Sequence, residues 1–255
     1  MKIARFAIQG TATYGILNGN KIQPLEFNPF HDIVPVGPAV DLCSVSLLAP
    51  CEPTKIVALG LNYHSHAREM GQSIPNAPLI FLKPASAVIG PGSGIVYPSI
   101  SSRVDFEGEL ALVLGKPAWR VEKRSVKKYI FGYTCFNDIT ARDLQARDGQ
   151  WTRAKGFDTF AAVGPWIETE LDPGTADIET RLNGQIKQKS NTADLIYSIE
   201  EIVNFVSNVM TLKPGDIIAT GTPAGIGPMK PGDTVEVTIK GIGTLKNHVI
   251  TGTGV

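Results

Sequence analysis

The chain has 255 residues, of which 43% are hydrophobic, so it can bury a substantial core and is not mainly disordered. Its 24 basic and 24 acidic side chains give a net charge of zero, which is not the charge pattern of a protein that binds nucleic acid or anionic membranes. There is no apolar run of ~20 residues, no apolar leader in MKIARFAIQG and no disulfide framework among three cysteines, so we expect a cytoplasmic protein with free thiols.

Residues 1–52 are expected to form a small N-terminal β domain. KIARFAI and TATYGIL have the composition of strands, and an Asn-Gly step at Asn18 and Gly19 precedes KIQPLEF. An Asn-Gly step between apolar stretches predicts a β-hairpin. A proline-rich stretch near residues 50–53 predicts the boundary, so residues 53–255 are expected to form the second, larger domain.

Turn residues dominate the larger domain. Prolines break up residues 75–98, and two KPGD segments, at 213–216 and 230–233, place Pro-Gly at the centre of predicted type II turns. Ser198 and Glu201 form a capping-box pattern that predicts the start of a helix, and shorter helices are expected near 64–70 and 126–130. The 26 glycines and 18 prolines therefore favour a β-dominated α+β fold without regular βαβ alternation.

The segment VDFEGELALVLG, residues 104–115, carries a row of acids. If it is a strand, Asp105, Glu107 and Glu109 lie on one face, and both faces become apolar toward its end. Two buried carboxylates ~7 Å apart along a strand repel each other, and burial raises their pKa values further. A divalent cation would relieve both effects, although a solvent-facing edge with scattered acids fits the pattern equally well.

A third acid, Asp138, follows the β-prone FGYTCFN. Ligands that are all oxygen atoms favour Mg²⁺, Mn²⁺ or Ca²⁺, and the zinc spacings HExxH and CxxC are absent from the sequence. The sequence by itself leaves open whether Asp138 lies near Glu107 and Glu109.

Three further features are candidates for chemistry. His66 and Glu69 share one helix face, so the carboxylate could orient the imidazole for water activation, or the two could form a surface ion pair. Lys155, between Ala and Gly-Phe, could stabilise an oxyanion or form a Schiff base, or be solvated. GTPAGIG at 221–227 matches no nucleotide-binding loop, but its N–H groups and the Thr222 hydroxyl could bind a carboxylate.

Seven motifs together resemble the fumarylacetoacetate hydrolase family. In chain order over residues 55–250 they are GLNYHSHAREMG, FLKP, DFEGELALVLG, NDITARDLQ, KGFDTF, LNG and TGTPAGIG. Residues 1–50 resemble the small N-terminal domain of prokaryotic members that are described as hydroxyheptadienedioate-isomerase-like. The resemblance implies a mixed β-roll in a catalytic domain spanning 53–255, and usually a homodimer.

The resemblance also implies roles for individual residues. It implies that Glu107, Glu109 and Asp138 bind Mg²⁺ or Mn²⁺, and that His66 and Glu69 lie on a lid and activate water. Lys155 would contact the substrate or its developing oxyanion. The remaining matched positions, which would contact the substrate or its keto-acid end, are Lys83, Arg142, Gln145 and Thr222.

The implied function is hydrolysis or decarboxylation of small 2-oxo, 1,3-dicarbonyl acids such as acylpyruvates or oxaloacetate, through a metal-stabilised enolate. One alternative is a 2-hydroxyhepta-2,4-diene-1,7-dioate (hydroxymuconate-type) isomerase or decarboxylase. Others are a dehydratase of 2-keto-3-deoxy sugar acids, Schiff-base chemistry on Lys155, and a metal-binding scaffold without activity. The large eukaryotic fumarylacetoacetases have a longer N-terminal domain, so their substrate is not carried over. Specificity is expected to lie near residues 72–78.

Overall fold

The computed structural model describes residues 1–8 and 10–252. Within them it confirms the predicted β-dominated α+β fold, with three sheets and four α-helices. No helix in the described ranges is long and apolar enough to cross a membrane.

The strands are short, as the many turn residues predict. In chain order they are β1 (Lys2–Ile8), β2 (Thr11–Asn18), β3 (Lys21–Pro24), β4 (Val40–Asp41), β5 (Ser46–Leu47), β6 (Ile56–Gly60), β7 (Leu79–Lys83), β8 (Val88–Ile89), β9 (Gly94–Tyr97), β10 (Val104–Phe106), β11 (Gly108–Leu114), β12 (Ile130–Asp138), β13 (Thr140–Ala141), β14 (Ala161–Glu168), β15 (Asp177–Leu182), β16 (Gln185–Asn191), β17 (Ile217–Ala219), β18 (Gly227–Met229), β19 (Thr234–Ile239) and β20 (Gly243–Thr251). The helices are α1 (His64–Glu69), α2 (Arg142–Asp148), α3 (Thr152–Gly156) and α4 (Ile199–Val209).

The largest sheet runs in the order β4-β3-β2-β1-β14-β12-β11-β17-β6-β7, with β5 beside β1 and β8 beside β14. A second sheet has the order β16-β15-β19-β20-β9, and a third the order β13-β10-β18. Leu110 and Leu112 of β11 belong to the same apolar cluster as Val237 of the second sheet. Ala111 and Val113 pack into a separate cluster, so β11 is buried on both faces, as its apolar end predicted.

The N-terminal strands continue the largest sheet, because β1 pairs with β14 through Lys2 and Ile3. The predicted hairpin is present: β2 and β3 are joined by a turn at Gly19 and Asn20. A small apolar cluster that includes Phe6 and Ile22 lies among these strands. The division into domains at residue 52 stays a prediction.

Local signals predicted several elements correctly. The capping box at Ser198 and Glu201 begins α4, and both KPGD segments form turns whose glycines, Gly215 and Gly232, have φ of 84° and 95°, as type II turns require. The helix expected near 126–130 is instead the 3₁₀ helix Lys123–Lys128, because residue 130 already pairs in β12.

Candidate active site

Three carboxylates meet where β11 and β12 pair. Glu107 lies at the interruption between β10 and β11, Glu109 lies on β11, and Asp138 ends β12. The backbone N–H of Asp138 donates to the carbonyl of Glu107 at 2.8 Å. One carboxylate oxygen from each residue lies within 4.8 Å of the other two, and all three side chains are buried. Pairing of two strands thus brings together the acids that the sequence alone left unconnected.

Three cations surround these carboxylates. The Lys155 ammonium donates to Glu107 Oε2 at 2.8 Å and to Asp138 Oδ2 at 2.6 Å. Lys83 donates to the other oxygen of Asp138 at 2.5 Å, and Arg142 donates to Glu107. Both lysines are almost fully buried, at 2% and 0% exposure, so Lys155 is not the solvated lysine that the sequence left possible.

Glu109 differs from its neighbours because it has no cationic partner among the described residues. Its carboxylate accepts a hydrogen bond from the Gly221 N–H at 2.8 Å. Burial, and then the charges of Asp138 and Glu107, raise its pKa well above the usual range. Burial also acts to raise the pKa of Glu107, but Lys155 and Arg142 outweigh it and lower that pKa to about 2.

This donor set fits a hard divalent cation. All candidate ligand atoms are carboxylate oxygens, which Mg²⁺ and Mn²⁺ prefer. A buried carboxylate without a cationic partner is costly, and Glu109 has that arrangement. A divalent cation bound by Glu107, Glu109 and Asp138 would supply the missing positive charge.

The electrostatics of Lys155 disfavour the Schiff-base alternative. Burial would lower its pKa, but the carboxylates of Asp138 and Glu107 outweigh burial and raise it. The amine is therefore protonated near neutral pH, whereas a Schiff base forms from the neutral amine. Burial lowers the pKa of Lys83 to about 8 despite the opposing charge of Asp138.

His66 and Glu69 form a hydrogen-bonded pair on α1. His66 Nδ1 lies 2.9 Å from Glu69 Oε2, and the other oxygen of Glu69 accepts the Gly225 N–H at 2.9 Å. His66 is 7% exposed and lines the cleft together with Glu107 and Glu109. His66 is therefore part of the cleft wall, and Glu69, whose side chain is 34% exposed, is its hydrogen-bond partner outside that wall. The GTPAGIG loop holds Glu69 in place.

Arg142 and Gln145 lie on α2, next to Glu107. Arg142 donates to Gln145 Oε1 at 2.6 Å and, through Nε, to Asp105 at 2.9 Å. Asp105 is fully buried and also accepts two hydrogen bonds from Arg103. Asp105 therefore orients Arg142, a role that its position in the acidic row did not reveal.

Thr222 lies at the edge of the cleft with its hydroxyl already engaged. It donates to the Gly108 carbonyl at 2.9 Å and accepts from Gln188 at 2.7 Å. Gln188 also accepts the Gly108 N–H, so it supports the turn into β11. Sequence reasoning missed Gln188, which lies on β16 and outside every motif.

A cleft of about 330 Å³ joins these groups. Residues that line it include Met70, which follows α1, and Gln72, the first residue of the segment 72–78 where specificity is expected. Within that segment the Pro75 carbonyl accepts a hydrogen bond from the Tyr197 hydroxyl at 2.5 Å. The described residues that line the cleft and that sequence reasoning missed are mainly apolar: Leu59, Gly60, Leu61, Leu79, Phe81, Ala146 and Trp151. Gly60, Leu61 and Phe81 lie inside the motifs GLNYHSHAREMG and FLKP but had no assigned role, and the other four lie outside every motif.

Comparison with known proteins gives two family matches. The model described as fumarylacetoacetate (FAA) hydrolase C-terminal matches residues 55–250, and the model described as Rv2993c-like, N-terminal matches residues 1–50. The chain is 41% identical to oxaloacetate tautomerase YisK of Bacillus subtilis over 223 residues, 82% of this chain and 74% of that protein.

Two solved structures extend the comparison. A 2-hydroxyhepta-2,4-diene-1,7-dioate isomerase from Mycobacterium marinum superposes with a TM-score of 0.93 at 42% identity, covering 100% of both chains. A maleylpyruvate hydrolase from Sphingobium sp. SYK-6, in complex with manganese(II) and pyruvate, gives a TM-score of 0.84 at 33% identity, covering 99% of this chain and 100% of the other.

Proposed function

The chain belongs to the fumarylacetoacetate hydrolase family, and from that premise we propose that it is a divalent-metal-dependent hydrolase or decarboxylase of small 2-oxo acids with a second carbonyl group. Acylpyruvates and oxaloacetate are the proposed substrate types. The observation that carries this proposal is the buried cluster of Glu107, Glu109 and Asp138, whose two glutamates line the same cleft as His66.

Glu107, Glu109 and Asp138 would hold Mg²⁺ or Mn²⁺. Their oxygen-only chemistry and the cation-free carboxylate of Glu109 support this assignment, and so does the manganese bound in the Sphingobium hydrolase. When bound there, the cation supplies a Lewis acid that stabilises the negative charge of an enolate.

The protein's own groups would move the proton and bind the substrate. Nδ1–H of His66 donates to Glu69, which leaves Nε2 as the basic nitrogen that takes a proton from water. Protonated Lys155 would stabilise negative charge on the substrate. Arg142, Gln145 and Thr222 would bind the keto-acid end. Lys83, the fourth proposed substrate-binding residue, also donates to Asp138 and would hold that ligand in place.

The proposal is tested by turnover of acylpyruvates and oxaloacetate with Mn²⁺ or with EDTA. We expect turnover with Mn²⁺, its loss in EDTA, and its loss in Glu109→Gln and Asp138→Asn. Glu170→Gln, at a side chain that is 82% exposed, is the matched control and should retain full activity. Undiminished turnover in EDTA would refute metal dependence, and no turnover of any substrate would favour the scaffold alternative.

A second candidate is proton transfer without C–C cleavage. The names of the B. subtilis tautomerase and the M. marinum isomerase favour it, and the same base, His66, would serve it. Proton exchange of oxaloacetate or a hydroxymuconate-type diacid into D₂O, followed by NMR, distinguishes the two. Exchange without CO₂ release or hydrolysis would establish the isomerase reaction and overturn the hydrolase proposal.

We also propose that the protein is a cytoplasmic homodimer that acts on a free small molecule, with no nucleic-acid or membrane partner. The resemblance to the fumarylacetoacetate hydrolase family, which usually implies a homodimer, supports this assembly. Light scattering after size-exclusion chromatography should give twice the chain mass, and a monomer would contradict the proposal.

A further inference from the structure

The cleft has two chemically different sides. Its charged side holds Glu107, Glu109, Arg142 and Lys155. Its other side is apolar and includes Gly60, Leu79, Phe81 and Trp151. If the keto-acid end of the substrate binds at the charged side, as in the proposed function, its distal end faces the apolar side. The apolar side therefore decides which distal group fits.

Trp151 is held firmly in this apolar side. Its ring packs edge-to-face on Phe81, with centroids 5.2 Å apart and planes at 74°. A Cβ atom at position 60 would lie 2.8 Å from the indole, so the glycine at Gly60 provides the space that the ring occupies. Phe81 in turn lies 4.9 Å below the Lys155 ammonium, which connects the aromatic pair to the charged side.

Trp151 also separates the cleft from a second space. An outer groove of about 410 Å³ runs along β7 and is lined by Leu79, Phe81 and Trp151. The same three side chains line the cleft. The indole is therefore a partition, and its removal would join the two spaces.

We propose that Trp151 determines substrate specificity by limiting the length of the distal end of the substrate. The preferred substrate class is thus a 2-oxo acid with a short distal end, such as oxaloacetate or an acylpyruvate with a short acyl group. Each methylene group that enters the apolar side should increase affinity about fourfold, until the chain reaches the indole.

The test is calorimetric binding of unbranched 2-oxo acids, from pyruvate to 2-oxooctanoate, to the Mn²⁺-loaded protein. In Trp151→Ala the ratio of the 2-oxooctanoate affinity to the pyruvate affinity should be at least about tenfold higher than in the wild type, because several more methylenes become buried. Trp119→Ala, at a residue that is 63% exposed, is the matched control and should leave the ratio unchanged. Trp151→Leu replaces Trp151→Ala if the alanine variant does not fold.

The outcomes separate this inference from the proposed function. An affinity ratio that is the same in Trp151→Ala and the wild type overturns the inference, as does failure of the wild type to bind any acid of the series. If the 2-oxo acids bind normally but no acylpyruvate or oxaloacetate is turned over, the proposed function is refuted. The affinity ratio of Trp151→Ala to the wild type still tests the role of Trp151 in that case.

Discussion

Replacing Lys155 by methionine should strengthen metal binding while it abolishes activity. The Lys155 ammonium is bonded to Glu107 and Asp138, two of the three proposed ligands, at 2.8 and 2.6 Å. It therefore competes with a divalent cation for their negative charge. Lys155→Met keeps most of the side-chain volume but removes that charge.

The structure gives the size of the effect. The carboxylates of Glu107 and Asp138 are paired with Lys83, Arg142 and Lys155, and Lys155 is the cation that bonds to both.

Without Lys155 the buried cluster has an excess negative charge, which should destabilise the metal-free protein by about 3 kcal/mol or more. For a chain of this size that corresponds to a fall in Tm of about 6 to 12 °C. The divalent cation removes the excess charge, so Mn²⁺ should bind the variant at least about tenfold more tightly than the wild type.

Two measurements check this prediction. Thermal unfolding in EDTA and in Mn²⁺ gives the stabilisation by metal, and calorimetric titration gives the Kd. Lys123→Met is the matched control, because Lys123 forms an exposed ion pair with Glu201 at 3.0 Å, worth less than about 1 kcal/mol. Weaker or unchanged Mn²⁺ binding by Lys155→Met would refute the reasoning that Lys155 and the metal share the same carboxylates.

The remaining predictions concern catalysis and stability. Glu69→Gln should lower kcat by at least about 100-fold, because the imidazole of His66 loses its carboxylate partner. The calorimetric Kd for Mn²⁺ should not change, and an equal loss of metal affinity would place Glu69 in the metal site instead. Asp216→Asn should destabilise the fold by about 2–4 kcal/mol in urea unfolding, because buried Asp216 accepts five hydrogen bonds, two from Lys55, two from Thr54 and one from Lys213. Asp233→Asn, in the other, more exposed KPGD turn, should cost less than half as much. Burial raises the pKa of Asp216, but its hydrogen bonds, from Lys55 first, outweigh burial and lower it. The stabilisation by ionised Asp216 is therefore complete above pH ~4 and is lost as the pH falls toward the folded-state pKa. The difference in unfolding free energy between the wild type and Asp216→Asn should shrink at low pH, and a difference that grows there would contradict this account.

Features that depend on neighbouring residues were predictable from the sequence. The capping box of α4, the two KPGD turns and the hairpin at Gly19 each follow from a few adjacent residues. The burial of β11 on both faces followed from its apolar residues. The order of motifs then identified the family, which the family match confirms.

Features that depend on pairing between distant segments were not predictable. Asp138 reaches Glu107 only through the register of β11 and β12, which no local pattern encodes. The alternation along residues 104–115 predicted that Asp105 lies on the same face as Glu107 and Glu109. The strand is instead interrupted at Glu107, whose N–H donates to the side chain of Asn137, and β10, which carries Asp105, joins another sheet. Trp151 precedes a five-residue helix without apolar periodicity, so its place in the cleft had no sequence signal.

The most direct test of the central claim is a calorimetric titration of Mn²⁺ into the metal-free wild type and Asp138→Asn. If Glu107, Glu109 and Asp138 hold the cation, the wild type binds one ion per chain. Asp138→Asn should bind it at least about 100-fold more weakly, since even residues that only support metal ligands cost 10- to 100-fold when replaced. Asp233→Asn should match the wild type. Equal affinity in Asp138→Asn and the wild type, or no binding by the wild type, would contradict the account.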